Sequence, residues 1–387
     1  MGYFVEEHNH PRPQTHAPAP RPEPAPQWFL DLTVNSPASG FPFSVWMRLQ
    51  RQVMLDYGDR LLAPLPIQGC PELRQAIAEH LLQFRGLLVD PENILIGAGT
   101  DFLYNLLIQL LGREKTYAVE DPGYRKIRQI YAAGGVECVS APLDIQGVIP
   151  EALGTAQVLH CSPSHHFPTG IVTPAPRRRQ LLQWAEAQPG RYIIEDDYDS
   201  EFRFHAHPVP ALLAMDHGGK VIYMNTFSKT LAPSIRISYM ILPPDLMAVF
   251  REKLGFYSCT VPSFEQYTLA RFLSGGRFEK HINRMRKSYR TRRNRVIEAL
   301  KGCPFADRMT ILEQDAGLHF LLRIDTGMSD RELTARCADV GIRVSALSDY
   351  YEDAVPPWAE KCLVINYSGL EEAQLARALE RLTVTQS

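Results

Sequence analysis

The chain has 387 residues, of which 45% are hydrophobic and 22% charged, and its formal net charge at pH 7 is −2. This is an ordinary globular composition, with enough length for one large domain and a smaller one. A net charge so close to zero excludes an overall field that attracts nucleic acid or anionic lipid. The seven cysteines include no Cys-x-x-Cys pair, which predicts a cytoplasmic protein without a disulfide framework or a zinc site. No apolar run is long enough to cross a membrane.

The first 27 residues lack any pattern that would build a core. Residues 10–27 read HPRPQTHAPAPRPEPAPQ, in which proline recurs nearly every second residue. We interpret this stretch as an extended linker or a disordered tail. The preceding MGYFVEEH is too short to fold alone, so a linker favours a further domain on the N-terminal side. A plain disordered N-terminus is the alternative.

Helices and buried strands are predicted from residue 28 onward. Within 28–60 an amphipathic helix begins at Ser44, and Pro71 and Gly86 bracket the helix PELRQAIAEHLLQFR. Apolar strands then alternate with helices such as DFLYNLLIQLL. The strands read NILIG (93–97), TYAVE (116–120), QVLHC (157–161), RYIIE (191–195), KVIYMNT (220–226) and SYMIL (238–242). This alternation predicts a large α/β domain over 61–255 with a mostly parallel sheet covered on both faces.

The pattern changes to α+β after about residue 255, and we assign 256–387 to a smaller domain. A long basic helix over 277–300 leads to strands near 309–313, 317–324 and 362–367, with a helix at 329–340. The basic helix raises the possibility of nucleic-acid binding. Its apolar residues mark a separate face, however, and we interpret it as a solvated amphipathic helix. Arg177 to Arg179 begin a helix after TPAP and are predicted to lie at the surface.

Three segments place polar residues at the ends of predicted strands or at the turn into a helix. In an open α/β sheet, ligands bind at the carboxyl ends of the strands. The segments are IIEDDYDSEF, NTFSKTLAPSIRISY and GAGTDFLYN. They contribute Glu195, Asp196, Asp197 and Tyr198; Thr226, Ser228, Lys229 and Arg236; and Gly97, Gly99 and Thr100. We therefore predict one ligand site at this edge of the sheet.

These residues match the chemical needs of pyridoxal 5′-phosphate (PLP). Its aldehyde needs an amine, which Lys229 supplies. Its pyridine nitrogen needs an acid, and Asp196 would keep it protonated so that the ring acts as an electron sink. Tyr198 lies two residues further on and can donate to the ring hydroxylate. The phosphate needs cations and N–H or O–H donors, and the predicted set is Gly99, Thr100, Thr226, Ser228 and Arg236.

Several motifs resemble those of fold-type-I, class I/II aminotransferases, and in particular the aminotransferase-like domain of MocR-type regulators in the GntR superfamily. They are EDPGYRKIR (120–128), PSHHFPTG (163–170), EDDYDSEFR (195–203) and SKTLAPSIRISY. The resemblance runs from about Asp31 to the C-terminus. It implies the fold-type-I α/β architecture, with a smaller α+β C-terminal domain, and a homodimer.

The N-terminal stub also fits this resemblance. GYFVEE resembles the end of the winged-helix domain that precedes the linker in such regulators. The chain therefore looks like a regulator lacking most of its DNA-binding domain, or the product of a gene start assigned late. As it stands, it is expected not to bind a specific DNA sequence.

The resemblance implies a role for each matched residue. Lys229 would form the internal aldimine and then shuttle the substrate proton. Asp196 would pair with the pyridinium and Tyr198 with the ring oxygen. Tyr124 would stack on the ring face, and Arg236 would hold the phosphate.

Three departures weaken the case for efficient turnover. Phe167 stands where typical aminotransferases have an asparagine that touches the ring oxygen. Val364 stands where we expect the arginine that binds the substrate carboxylate, and Arg343 is the replacement candidate. The stretch before the PELR helix lacks the usual tyrosine that reaches the partner's phosphate.

Other polar residues near the predicted site receive simpler interpretations. Asp197, Asp199 and Glu201 could form a metal cluster, but alternating directions along one strand end favour loop acids. His165 and His166 are interpreted as structural or supporting residues. We therefore expect no metal.

Two functions fit the same site. One is transamination between an amino acid and a keto acid. The other is an effector-sensing domain of a MocR-type regulator, which binds PLP or a PLP–amine aldimine with little or no turnover. The proline-rich linker favours the sensor, and the intact set of Lys229, Asp196 and Tyr198 keeps the enzyme open. Another PLP reaction, such as decarboxylation or β-elimination, would differ only in which Cα bond stands perpendicular to the ring.

Overall fold

The computed structural model describes residues 27–34, 40–202, 209–312 and 317–370, together with positions 374, 377, 378 and 381. The stub and all but the last residue of the predicted proline-rich linker lie outside these ranges. The helices are α1 (Phe43–Tyr57), α2 (Pro71–Arg85), α3 (Thr100–Leu111), α4 (Arg125–Ala133), α5 (Ala175–Glu186), α6 (Leu212–Met215), α7 (Pro244–Leu254), α8 (Ser263–Ser274), α9 (Arg277–Lys301) and α10 (Asp330–Asp339).

Local sequence signals explain where several helices begin and end. Pro71 opens α2, and Gly86 closes it with φ 67°, the left-handed conformation that glycine adopts at low cost. Ser329 and Glu332 form a capping box at the start of α10. These boundaries agree with the helices predicted around the PELR segment and over 329–340.

The strands divide between two main sheets and one small pairing. They are β1 (Leu30–Asp31), β2 (Ile94–Gly97), β3 (Thr116–Asp121), β4 (Glu137–Asp144), β5 (Gly147–Val148), β6 (Val158–Cys161), β7 (Tyr192–Asp196), β8 (Val221–Thr226), β9 (Ser238–Ile241), β10 (Met309–Leu312), β11 (His319–Ile324), β12 (Ile342–Arg343), β13 (Ser345–Ala346) and β14 (Cys362–Asn366). All six strands predicted for the large domain are present within a residue or two.

The large sheet has the order β2-β9-β8-β7-β6-β3-β4-β5. Neighbouring strands from β8 to β4 run parallel, and β9 runs antiparallel to both β8 and β2. The predicted mostly parallel α/β sheet is therefore confirmed. Because β6, β7 and β8 are parallel neighbours, their carboxyl ends at Cys161, Asp196 and Thr226 meet at one edge.

The C-terminal part forms an antiparallel sheet of order β10-β11-β14-β13. Its core includes Met285 and Val296 of α9 and also Leu30 and Leu32 from the N-terminal segment. β1 pairs in parallel with β12, with Leu30 opposite Ile342. The same N-terminal segment also packs against the large domain, where Trp46 of α1 belongs to one hydrophobic cluster with Leu73 of α2 and Tyr223 of β8. The segment thus joins both parts of the chain.

The surface prediction for Arg177 to Arg179 is wrong for two of the three. Arg177 and Arg178 are 9% and 0% exposed. The Arg178 guanidinium donates to the carbonyls of Thr173 and Pro163 and lies 3.4 Å from Glu195. These acceptors compensate for the burial of the charge, and two of them, Pro163 and Glu195, lie 15 and 17 residues away along the chain. Among the described helices, none is long and apolar enough to cross a membrane.

Candidate active site

Asp196 ends β7 with one carboxylate oxygen bound and the other free of hydrogen bonds. The Tyr104 hydroxyl donates to Oδ2 over 2.6 Å, and His160 Nε2 lies 3.5 Å from the same oxygen. Oδ1 is buried and has no hydrogen-bond partner among the described residues. A buried carboxylate oxygen without a partner is costly. Asp196 is therefore built to receive a donor from a bound molecule.

Tyr104 is a supporting residue that the sequence analysis missed. It lies on α3, four residues after Thr100, and is 4% exposed. Behind it, the Tyr131 hydroxyl is 2.7 Å from Nδ1 of His160. A tyrosine on the apolar face of a helix usually needs a partner for its hydroxyl, and this signal was available in DFLYNLLIQLL. The helix pattern does not identify that partner, because Asp196 is placed by the sheet.

Lys229 lies in the turn that follows β8, next to this acid. Burial lowers the pKa of its amine, whereas the charges of Asp199 and Asp196 act in the opposite direction. A lower pKa increases the neutral fraction, and the neutral amine is the form that attacks a carbonyl. Because β7 and β8 are parallel neighbours, Asp196 and the turn that carries Lys229 lie at the same edge of the sheet.

The predicted phosphate-binding residues converge at the start of α3. Arg236 adopts φ 49°, unusual for a residue with a side chain, and its Nη2 lies 3.4 Å from both the Ala98 carbonyl and Asp101. Gly99 precedes α3 with φ 88°, and a Cβ there would lie 2.1 Å from Nη2 of Arg236. The guanidinium therefore packs directly on the glycine, beside the free N–H groups of the helix start.

Hydroxyl groups complete this corner of the site. The Thr226 hydroxyl donates to Ser228 Oγ over 3.0 Å and accepts from Ser238 Oγ over 2.8 Å. Ser238 opens β9, is fully buried and was not singled out from the sequence. Its hydrogen bond orients Thr226, which in turn orients Ser228.

Replacing Gly99 with alanine is expected to weaken the binding of PLP by at least about tenfold, because the new methyl group must displace Arg236. Gly154→Ala is the matched control: φ is 53° there, and nothing lies within 4 Å of the added Cβ. Both variants carry the cost of a positive φ, so a difference between them isolates the displacement of Arg236. Titration of the cofactor-free proteins with PLP measures it, and equal affinities would contradict the prediction.

The other predicted residues lie in different surroundings. Tyr198 is partly buried, and its hydroxyl is 3.3 Å from His165 Nδ1. Tyr124 precedes α4, is 50% exposed and meets Phe167 edge-to-face with ring centroids 6.0 Å apart. Arg343 lies on β12, where its exposed guanidinium is 3.3 Å from Asp31. The substrate-carboxylate role of Arg343 stays a prediction.

The position expected to hold a carboxylate-binding arginine is apolar. Val364 is fully buried on β14 in a cluster that includes Leu321 and Leu347, and Phe167 packs against that cluster. The Phe167 ring also makes edge contacts with His319 and Tyr350, with centroids 5.1 and 5.2 Å apart. The small-domain side of the site is thus aromatic and apolar around Phe167.

Glu120 and His166 form a close pair of ionisable side chains, with Nε2 of His166 3.6 Å from Oε2 of Glu120. Burial raises the pKa of Glu120 to about 8, and burial lowers the pKa of His166 to about 3. At neutral pH, Glu120 is therefore mostly protonated and His166 neutral. The interior beside Asp196 therefore carries less charge at neutral pH than it would if Glu120 and His166 were both ionised.

The residues present fit PLP. Asp196 leaves a buried acceptor oxygen for a protonated ring nitrogen. Gly99 and Arg236 form a cradle, at the start of a helix, that a Cβ would fill. Lys229 supplies a partly desolvated amine near Asp196.

Comparison with known proteins agrees with this geometry. Residues 29–382 match the family described as aminotransferase class I and II. The HTH-type transcriptional regulator YdeL of Bacillus subtilis is 37% identical over 350 residues, which are 90% of this chain and 74% of that protein. The probable rhizopine catabolism regulatory protein MocR of Rhizobium meliloti is 32% identical over 345 residues, 88% of this chain and 69% of that one.

Solved structures agree as well. A Pyrococcus horikoshii kynurenine aminotransferase in complex with PMP superposes with a TM-score of 0.80 at 25% identity, covering 93% of this chain and 91% of that one. The α-aminoadipate aminotransferase LysN of Thermus thermophilus, complexed with N-(5′-phosphopyridoxyl)-L-leucine, gives 0.77 at 25% identity, covering 91% and 90%. The predicted fold, cofactor and family resemblance are confirmed, and the chain belongs to the class I and II aminotransferase family.

Proposed function

We propose that this chain holds PLP on Lys229 and transfers amino groups between an amino acid and a keto acid. The observation that carries the proposal is that Oδ1 of Asp196 is buried without a partner among the described residues, at the sheet edge where the turn with Lys229 follows the neighbouring strand. Arg236 and the start of α3, beside Gly99, would hold the phosphate. Tyr198 would donate to the ring oxygen.

PLP, when bound, supplies an electron-withdrawing ring that makes the α-proton of an attached amine acidic. The Lys229 amine would accept that proton from the substrate carbon and return it at a different carbon. Asp196 Oδ1 would hold the proton on the ring nitrogen, while Tyr104 fixes that carboxylate through its other oxygen. The apolar cluster around Phe167 would limit the access of water.

Effector sensing is the second candidate, in which the site binds PLP or its adduct with an amine and little turnover follows. Two observations favour it. The relatives named above are an HTH-type transcriptional regulator and a probable regulatory protein. In addition, Val364 occupies an apolar cluster where turnover of an amino acid would call for a cation to bind its carboxylate.

A homodimer is proposed for either function. The helix α1 leaves large apolar side chains exposed in the single chain, among them Phe43, Met47 and Leu55 at 73%, 62% and 74%. Exposed apolar surface of this kind is typical of an interface between subunits.

An absorbance titration of the purified protein separates the two functions. With PLP added, we expect a visible band that is absent from Lys229→Ala, and its absence from the wild type would refute both proposals. Each of a panel of amino acids and amines is then added. Loss of the band together with accumulation of a keto acid supports transamination. A shifted band that persists without keto acid supports sensing.

A further inference from the structure

His165 lies at the meeting point of the two parts of the chain. It follows β6 and is 2% exposed. A Cβ on Gly317, just before β11, would lie only 1.7 Å from its Cε1, so the backbone there packs directly on the imidazole ring. On the same side, the ring of His319 has its centroid 4.8 Å away. These contacts leave the ring little freedom to rotate.

Two neighbours compete for the same nitrogen of His165. Nδ1 is 2.7 Å from Oδ2 of Asp199 and 3.3 Å from the Tyr198 hydroxyl. An ionised carboxylate can only accept a hydrogen bond, so the shorter contact places the proton on Nδ1. Nδ1 then has no lone pair to offer. The Tyr198 hydroxyl cannot donate to it, and its own hydrogen is available to another acceptor.

We propose that His165, held by Asp199, is a positioning residue that directs the Tyr198 hydroxyl proton toward the ring oxygen of bound PLP. The proposal rests on the proposed binding of PLP at Lys229. It assigns a role to a histidine that the sequence analysis interpreted only as structural or supporting. In the opposite tautomer, the Tyr198 hydroxyl would donate to Nδ1 and be lost to the cofactor.

Other ionisable groups surround His165 and Tyr198, and they are the same in all the variants compared below. They are Glu120, Asp196, Asp197, His166, His319 and Lys229. A hydrogen bond from Tyr198 stabilises negative charge on the ring oxygen. Its loss makes that oxygen hold a proton more tightly. The pH midpoint of the bound cofactor's visible band should therefore rise when the hydroxyl is misdirected.

The test measures this midpoint in His165→Leu, His165→Asn, Tyr198→Phe and the double variant His165→Leu/Tyr198→Phe. In His165→Leu the Asp199 carboxylate loses its donor and becomes the acceptor that takes the Tyr198 hydroxyl proton away from the cofactor. His165→Leu and Tyr198→Phe should each raise the midpoint by about one pH unit, equivalent to one hydrogen bond to a charged group. His165→Asn should restore a value near wild type, because its amide N–H can take the place of Nδ1–H. The double variant should shift no further than Tyr198→Phe alone. His165→Gln, whose amide lies one methylene further out, replaces His165→Leu if that protein does not fold.

The outcomes distinguish the positioning role from the proposed function. A normal wild-type band with no shift in His165→Leu or His165→Gln overturns the positioning role alone. The same holds if the shift is undiminished in the Tyr198→Phe background, because the effect would then not pass through the hydroxyl. A wild-type protein that gives no visible band with added PLP overturns the proposed function, and the positioning role with it.

Discussion

Asp196→Asn is expected to lower kcat for amino-group transfer by about 10²–10³-fold, the usual effect of removing one preorganised electrostatic group from an active site. An amide in this position has no negative charge with which to keep a ring nitrogen protonated. The carboxylate is 5% exposed, so water cannot take its place. Steady-state kinetics with an amino acid that is active in the absorbance titration measures the effect.

Tyr104→Phe is the matched control for Asp196→Asn. It keeps the carboxylate but removes the 2.6 Å hydrogen bond to Oδ2. A hydrogen bond to a charged group contributes about 1.5–3 kcal/mol, so the expected loss is about 10- to 100-fold and smaller than for Asp196→Asn. Wild-type kcat in Asp196→Asn would contradict the role of Asp196. If the protein senses and does not turn over, retention of PLP during dialysis gives the same ranking.

Asp197→Ala is expected to lower the free energy of unfolding by about 3–5 kcal/mol. Its neighbour Asp196, in contrast, is assigned a role only in the site. The Asp197 side chain is fully buried, 2.9 Å from Arg85, and accepts a 2.6 Å hydrogen bond from Tyr223. Burial works to lower the pKa of Arg85, but Asp197, Tyr223 and Glu195 together outweigh it, with Asp197 the largest of the three, and the pKa is raised. Removing the carboxylate therefore leaves a buried cation without its main counter-charge.

Urea denaturation followed by circular dichroism measures this free energy of unfolding. Asp56→Ala is the control, because Asp56 forms a 2.6 Å ion pair with Arg271 in which Asp56 is 55% exposed. An exposed pair contributes about 0–1 kcal/mol. If the two variants lost equal stability, the buried Asp197 pair would not be the support that its contacts indicate.

Local sequence patterns were sufficient to predict the strands of the large sheet, the fold and the cofactor. The strands of the large sheet are apolar runs bounded by polar residues, and burial on both faces requires that pattern. Asp196, Thr226 and Lys229 come directly at or after strand ends, and parallel strands bring those ends to one edge. The prediction of a PLP site therefore depended on local order and on the general geometry of parallel sheets.

The tertiary structure alone decided which buried polar group meets which. Asp196 and Asp197 are adjacent and chemically identical, but alternation along the chain sends one to Tyr104 on α3 and the other to Arg85 on α2. Arg178 was wrongly predicted at the surface because its acceptors near Pro163 and Glu195 are remote in sequence. A buried charge is stable only when compensating groups lie next to it, and long-range packing is what brings those groups together.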